Sequence, residues 1–531
     1  MALKQLNATD QERLRKQVAA EVGESRKFVQ NKREDFKDRL KLYNNQKKDR
    51  SKIGVMTIYA FHNVHMALSY VDELSVKFEA REQGDTQKSN LKTMIAKFDH
   101  EEMNMPELDY FTKWDKFFYG VGIRYIGSWD KELKVPIVKS FSPLLWLPDP
   151  SGYGNAESFR WHGIEDEVKK SEMTDDNGYY PSVIKTIQPN KDASSATYEF
   201  QQALSEAQNT DIPAERSTDI NDVKIQVIHQ FTKFNGKKVL VTIDAGLAKI
   251  LRYVEVDPVT DAEKNDPSRC PWGLVLNYYS PLKGDPFGVS LTDIIEDKQR
   301  ALSILANIQL LKEQAALWPM YLYNRQRIPN KGDLNFAFNK FIGVNGEISG
   351  AVEPLKKDLN SGTTINQEQK ILAEAQFVTG TDQIQMGVLS SESRTKHEIQ
   401  QVSVNSSLRQ LLHAKVDNWG EKAFWGAWSR MYDAFFTEKD EKVIRITSSL
   451  NTSFKTIRRR DFATKNDPDI IIESKLESDA KRNEKRLAYA QGLPMLLQSP
   501  STPQAAKNFA LRKNFELSGM DDDEVMMLVP A

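Results

Sequence analysis

The sequence predicts a helix-rich α+β protein. Long segments with apolar residues at every third or fourth position predict helices near the start, in the middle and towards the end. Between them, short stretches rich in Val, Ile and aromatic residues, bounded by Gly, Pro and Asp, predict strands. The chain has 531 residues, 40% of them hydrophobic and 28% charged, which suffices for several structural units with buried cores.

Composition narrows the possible functions. Because 73 Lys and Arg residues nearly balance 74 Asp and Glu residues, a tight and static nucleic-acid binder, which is usually basic, is not indicated. The single cysteine, Cys270, excludes a disulfide framework within one chain and is interpreted as a buried apolar residue. The start of the chain lacks the apolar core of a signal peptide. The most apolar segment, 301–319, is interrupted by Lys312 and Glu313, so we expect no membrane span and synthesis in a cytoplasm.

The first elements are predicted to be helices. Thr9 and Glu12 have the spacing of a capping box that starts a charged helix running to about residue 50. Since this helix is so polar, residues 1–50 are expected to form an exposed arm or a partner-facing helix. Apolar spacing then predicts a helix over 55–79, and an aromatic-rich helix follows over 106–119.

The next part of the chain changes to the period of strands. Segment 120–150 predicts strands separated by turns, and it ends at Asp149 between two prolines, which is interpreted as a turn residue. Three more strand-like pieces are predicted at 182–188, 223–233 and 238–243. The polar segment 189–220 is expected to be an insertion in this α+β body.

The middle of the chain begins with a helix over 287–317. One apolar stripe carries Leu291, Ile295, Leu302, Leu305, Ile308, Leu311 and Ala315. Pro319 is expected to end the helix. Short irregular pieces follow over 320–360, and 363–377 is predicted to be helical again.

A polar, glycine-bearing loop over 378–394 leads into the longest predicted helix, 395–436. Its apolar face carries Leu408, Leu412, Val416, Trp419, Ala423, Ala427, Met431 and Ala434, and Gly420 and Gly426 are the expected places for a bend. A strand pair at 442–448 and 469–473 and helices from about 477 complete the chain.

Candidate chemical groups do not assemble into a catalytic motif. His62 and His65 have metal-ligand spacing, but no suitably placed carboxylate follows, so a core role is favoured. Arg458–Arg460 is interpreted mainly as a solvated group or one that forms ion pairs between subunits, with nucleic-acid contact as the alternative. The acidic run Asp521–Glu524 is interpreted as a helix start or a solvated end. We therefore expect no enzyme activity, no metal and no cofactor.

Three stretches, taken in order, carry a family resemblance. They are YFTKWDKFFYGVGIRYIGSWD (110–130), FSPLLWLPDPSG (141–152) and NYYSPLKGDPFGVSLTDIIEDKQRALSILANIQ (277–309). With the order helix, small module, helix, loop, long helix that follows, the chain resembles tailed-bacteriophage portal proteins. These proteins form the ring at one capsid vertex through which DNA is pumped. The resemblance covers most of the chain but not 1–50 or 189–220.

The resemblance implies a division of the chain. The implied regions are an N-terminal helical arm (1–50), a wing or body (51–286), a first stem helix (287–317), a clip (318–361), a second stem helix (362–377), a tunnel loop (378–394), a long wing helix with strands (395–476) and crown helices (477–531). Together they imply the portal variant of an α+β fold.

The resemblance also implies sites and partners. The tunnel-loop residues that would face DNA are Gln383, Gln385, Ser390, Ser391 and Arg394. The clip residues that would dock partners are Arg325, Arg327, Lys331 and Lys340. The stem residues of a ring interface would be Leu302, Leu305, Ile308 and Leu311. The implied partners are further copies in a ring of about twelve, terminase, head–tail adaptor proteins, the major capsid protein and non-specific double-stranded DNA.

The implied location is the capsid vertex of a virion that is assembled in the host cytoplasm. The near-neutral charge agrees with a channel that must not hold DNA, since each strong phosphate contact adds affinity. Two alternatives remain open. One is another structural virion protein, such as a tail adaptor or internal scaffold. The other is a metal-dependent nuclease that uses Asp149, His62 and His65.

Overall fold

The computed structural model shows a mixed helix and sheet protein, which confirms the predicted α+β class. It describes residues 6–45, 52–70, 76–175, 178–187, 224–255, 272–317, 321–328, 344–347, 349, 352–354, 362–381, 396–447, 452–464, 468–472, 492–494, 497 and 503–517. The predicted insertion 189–220 and Cys270 lie outside these residues.

The helices of the described residues are numbered in chain order. They are α1 (Ala8–Tyr43), α2 (Thr57–Ser69), α3 (Thr86–Glu102), α4 (Met105–Tyr119), α5 (Lys170–Asp175), α6 (Pro181–Ile184), α7 (Leu291–Leu317), α8 (Gly362–Thr379), α9 (Lys396–Phe435), α10 (Arg459–Phe462) and α11 (Gln504–Leu517). The predicted helices over 106–119, 363–377 and 395–436 are thereby confirmed within two residues at each end.

The strands are numbered in the same way. They are β1 (Val76–Glu79), β2 (Val121–Asp130), β3 (Val135–Phe141), β4 (Trp146–Pro148), β5 (His162–Lys169), β6 (Lys224–Phe234), β7 (Lys237–Asp244), β8 (Ile250–Glu255), β9 (Leu274–Tyr278), β10 (Ser280–Leu282), β11 (Asp285–Val289), β12 (Tyr321–Tyr323), β13 (Val352–Pro354), β14 (Glu441–Thr447), β15 (Thr452–Arg458) and β16 (Asp469–Ile472). Strands β4 to β8 form a five-stranded antiparallel meander, and β3-β2-β9 form a three-stranded sheet.

The three-stranded sheet lies between two hydrophobic cores. Ile123 and its cross-strand partner Leu276 belong to a core shared with α1 and the five-stranded sheet. Val275 belongs to a second core, which contains Phe424 and other residues of α3 and α9. On this second side α4 covers β2 and α9 covers β9, so the two helices share one face of the sheet.

Helix α1 is packed on the body, and the prediction of an exposed arm is wrong. Its buried apolar residues recur along one stripe: Leu14, Val18, Val22, Val29, Phe36 and Leu40. The stripe is narrow. Because the other faces of α1 carry many charged residues, the overall composition of the segment is polar even though one face is apolar. The cap also differs from the predicted capping box, because Asn7 Oδ1 accepts a hydrogen bond from the Asp10 N–H at 2.7 Å. The helix ends at Tyr43, short of residue 50.

Several other boundaries differ from the predictions. Among the described residues of the predicted helix 55–79, Thr57–Ser69 are helical and Val76–Glu79 form β1. The strand predicted at 182–188 is instead the short helix Pro181–Ile184, which begins with proline at its first position.

The predicted pairing of 442–448 with 469–473 is also wrong. Strand β14 pairs with β15, the next strand along the chain, whereas β16 pairs with β1. The local hairpin satisfies the β14 backbone, while β1 and β16 place Phe78 and Ile470 against the core of α9.

The central helix begins later than predicted. Residues 285–289 form β11, and α7 starts at Leu291. Two reciprocal hydrogen bonds fix this start: the Asp293 N–H donates to Ser290 Oγ at 2.9 Å, and the Ser290 N–H donates to the Asp293 carboxylate at 2.6 Å. This is the geometry of a capping box, and the Ser-x-x-Asp sequence carries the signal for it.

Candidate functional site: an uncovered apolar face on a helical hairpin

Helices α7 and α8 form an antiparallel hairpin. Lys312 Nζ, late in α7, donates to Thr364 Oγ1, early in α8, at 2.8 Å. Lys298, early in α7, forms an ion pair of 3.6 Å with Glu374, late in α8. These two contacts fix the relative direction of the helices. The segment between them, 318–361, includes the antiparallel pair β12–β13.

The base of α7 is firmly held by the body. Leu291, Ile295 and Leu302 are buried, and Leu291 and Ile295 share a core with α2 and α4. Gln299 is buried as well. Its Oε1 accepts from the Ile58 N–H at 2.7 Å, and its Nε2 donates to the Leu42 carbonyl at 2.8 Å. These contacts fix the rotation of α7 about its own axis.

The opposite face of α7 is apolar and uncovered within one chain. Ile304 is 61% exposed, Leu311 is 63% exposed, and Ile308 is exposed between them. Since each residue advances a helix by about 100°, these three positions share one stripe, and Leu302 lies roughly on the other side. Such a stripe, lined by large aliphatic residues, is typical of a surface that another molecule covers.

Helix α8 adds to this surface. Among its described side chains only Thr364, Ala375 and Thr379 are buried. Phe377 is 70% exposed, and Ile365, Leu372 and Val378 are exposed too. Because so few side chains of α8 are buried, its packing within the single chain contributes little to its stability.

The predicted ring-interface residues divide into two groups. Leu302 is only 3% exposed and packs inside the protomer, so its assignment to an interface between copies is wrong. Leu305 is half-buried, whereas Ile308 and Leu311 lie on the uncovered stripe. Ile304 was not among the predicted interface residues, although it is central to this stripe. The sequence shows apolar residues all round α7 but does not show which side the body covers.

The predicted clip residues are described only in part. Arg325 is exposed in the turn after β12. Arg327 closes this small module, because its Nη1 donates to the carbonyls of Glu347 and Ser349 at 3.1 and 2.6 Å. Its guanidinium therefore has a structural role in the single chain. Lys331 and Lys340 lie outside the described residues.

The predicted channel-facing residues also lie outside the described part: Gln383, Gln385, Ser390, Ser391 and Arg394. The structure does describe the segment immediately before them. A hydrogen bond of 3.1 Å joins Thr381 Oγ1 to His65 Nε2 in the interior, and Thr379 Oγ1 donates to the Ala375 carbonyl at 2.8 Å. The end of α8 is thus tied to α2.

The two candidate metal-binding histidines belong to the aromatic core. His62 packs against Trp114 and Phe118, and His65 packs against Phe117. Burial lowers the pKa of His62 to about 4; for His65, burial together with the nearby His413 lowers the pKa to about 3. Within the described residues no group of three potential ligands is positioned to hold a metal ion. The core interpretation fits these contacts.

Asp149 organises a turn, as its sequence context suggested. Its carboxylate accepts hydrogen bonds from Arg160 and from the Ser151 N–H and hydroxyl. Burial raises the pKa of this carboxyl, but these hydrogen bonds outweigh it and bring the pKa down to about 2. A carboxylate engaged in this way is a poor general base.

The arginine cluster is engaged within the protomer. Arg458 pairs with Glu441 at 2.6 Å across the β14–β15 hairpin, and Arg459 donates to the Asp433 carbonyl at 2.9 Å. Arg458 thus forms its ion pair within the chain, which differs from the predicted solvated or inter-subunit role.

Comparison with protein-family models and with curated proteins found no match to this chain. Within the described part of the chain, no helix combines the length and the apolar character that a membrane crossing requires.

Proposed function

We propose that the protein is a portal-type channel protein of a tailed bacteriophage, which assembles into a ring at the capsid vertex. The observation that carries this proposal is the α7–α8 hairpin, with one apolar face buried in the body and another uncovered. A ring interface is heterologous, so each copy needs two different faces for its two neighbours. The apolar stripe of α7 and the exposed side of α8 supply such a pair.

The remaining features fit the same role. Buried polar contacts hold together the body that carries the hairpin: Asp417 of α9 pairs with Lys116 of α4 at 3.0 Å and accepts from Asn277 of β9 at 3.2 Å. The chain is nearly neutral, which suits a channel along which DNA slides. In this proposal residues 318–361 meet terminase and then head–tail adaptor proteins. The body meets the major capsid protein, and the part of the predicted tunnel loop that follows Thr381, residues 382–394, faces the DNA.

The proposal is tested first by the assembly state of the purified protein. Native mass spectrometry and negative-stain microscopy should show closed rings with a central hole, of about twelve copies. Stable monomers, or assemblies without a hole, would contradict the proposal. Either result would favour another structural virion protein such as an adaptor or internal scaffold.

A further inference from the structure

The long helix α9 has an uncovered face of unusual composition. Trp419 is 65% exposed, and Leu412, one heptad earlier, is exposed to a similar degree. Lys415 and Lys422 are exposed on the same side, since each residue advances the helix by about 100°. The opposite side of α9 carries Asp417 and Glu421 inside the protein.

The face therefore combines large apolar side chains with positive charge alone. Within two turns of Trp419 in either direction, no carboxylate of α9 lies within about 60° of it. Neither lysine has an ion-pair partner among the described residues. By contrast, the exposed Phe454 lies beside Arg445, which pairs with Glu101 at 2.7 Å. The α9 face is thus both apolar and electrostatically unbalanced, and a partner with acidic and apolar groups complements it.

The same chain contains a segment that has both acidic and apolar residues. Residues 518–531, SGMDDDEVMMLVPA, follow α11 and lie outside the described part of the structure. Four consecutive acidic residues, Asp521–Glu524, are followed by the apolar run VMMLV. Duplex DNA offers negative charge but no apolar surface to cover Trp419 and Leu412, whereas this segment offers both.

We propose that segment 518–531 docks on the α9 face defined by Leu412, Lys415, Trp419 and Lys422. The acidic run pairs with the two lysines, and the apolar run covers Trp419 and Leu412. The docked segment is that of the same chain, where it directly follows α11. This inference goes beyond the channel proposal and does not depend on it, because it rests only on the composition of the two surfaces.

Disulfide trapping in the full chain tests the contact. The test variant carries Ala423→Cys on the α9 face and Met520→Cys beside the acidic run, which leaves both lysines and all four acids intact. The matched control carries Met520→Cys with Val443→Cys, an exposed position on the β14–β15 hairpin. Under mild oxidation we expect the yield of the 423–520 disulfide to be at least about fivefold higher than that of the 443–520 disulfide. Docking raises the effective concentration of the thiol introduced at position 520 near position 423. Peptide mass spectrometry identifies each pair and separates links to Cys270. When copies of two masses are mixed, cross-links within one mass support the proposal, and cross-links that join the two masses contradict docking within one chain.

Substitutions then test the two kinds of contact. Trp419→Ala should reduce the 423–520 cross-link about tenfold, since a central exposed tryptophan is a typical hot spot. Lys415→Glu with Lys422→Glu should reduce it as well, and adding Asp521→Lys with Asp522→Lys should restore it. Equal trapping at 423 and 443, or no effect of the charge reversals and of Trp419→Ala, overturns the proposal. If trapping at 423 and 443 is equal and Lys415→Glu with Lys422→Glu abolishes binding of a DNA duplex, the proposal is wrong and the face binds phosphates instead.

Discussion

At the scale of single residues, two glycines set how closely the helices approach the three-stranded sheet. A Cβ atom on Gly122 of β2 would lie 2.1 Å from the Thr112 carbonyl oxygen of α4. A Cβ atom on Gly420 of α9 would lie 2.7 Å from the Asn277 side chain of β9. Gly420 was predicted to be a place where α9 bends; the structure instead explains this glycine by the close packing of α9 on β9. Both glycines therefore allow a helix to lie directly on the sheet.

We predict that Gly122→Ala destabilises the protein by about 1–3 kcal/mol, because α4 must move away from β2. Gly23 in α1 is the matched control, since a Cβ atom there would meet no atom within 4 Å. Gly23→Ala should raise the free energy of unfolding by up to about 1 kcal/mol through helix propensity. Urea titration of both variants measures the difference. Equal effects of the two substitutions would contradict this account of the packing.

Buried charges between α4 and α9 are a second feature at this scale. Arg124 donates to Asp109 at 2.8 Å and pairs with Glu421, while Asp417 accepts from Asn277 at 3.2 Å and pairs with Lys116. Burial raises the pKa of the Asp417 carboxyl, but Lys116 outweighs this effect and the pKa falls to about 2. The ordinary value is 3.8, so Asp417 contributes to stability only while it is ionised.

The sign of the pH dependence follows from this lowered pKa. The contribution of Asp417 is complete above about pH 4 and is lost as the pH falls towards 2, and its size is about 2 kcal/mol. Asp417→Asn should cost about 3 kcal/mol at pH 7, because Lys116 remains buried without its partner. It should also flatten the stability profile between pH 4 and 2. Denaturant unfolding of Asp417→Asn between pH 7 and pH 2 tests this prediction. Asp35→Asn is the control, because Asp35 is exposed. An unchanged acid slope in Asp417→Asn would refute the assignment.

At the scale of elements, the sequence predicted regular segments better than their surroundings. Helices α4, α8 and α9 were predicted within two residues because their apolar periodicity is strong. The pairing of β1 with β16 was missed, since these strands are almost 400 positions apart and nothing local specifies the match. For the same reason, the sequence could not tell that Leu302 faces the body while Ile304 faces outwards.

The exposed stripe of α7 leads to a prediction at this scale. Ile304→Glu with Leu311→Glu should leave the stability of the protomer within about 0.5 kcal/mol, since both residues are exposed. The same pair should prevent self-association, because two carboxylates would be buried in the interface. Leu302→Ala is the matched control and should destabilise the protomer by about 2–5 kcal/mol. Sizing with light scattering and thermal unfolding separate the two effects. Intact rings in the double glutamate variant would exclude this stripe as an interface.

At the scale of the whole molecule, the hairpin connects two parts with different proposed tasks. One end of α7 and α8 is held in the body through Leu291, Ile295 and Ala375. The other end leads to the module that contains β12 and β13. Because Thr381, just after α8, is hydrogen-bonded to His65 of α2, changes made to the sequence beyond it need not disturb the hairpin. This separation makes the proposed channel segment testable without disrupting the proposed ring.

We predict that deleting 383–392 leaves folding and ring assembly intact but impairs DNA packaging or retention. The deletion spares Thr381 and its contact with His65, which a deletion beginning at Gly380 would remove. A replacement of the same ten residues by a Gly–Ser linker of equal length is the control for chain connectivity. Assembly is measured by native mass spectrometry, and packaging by the amount of nuclease-protected DNA in capsids assembled with each variant. Loss of the folded protomer in the deletion would place these residues in the structural core. Normal packaging by both variants would show that the segment does not act on DNA.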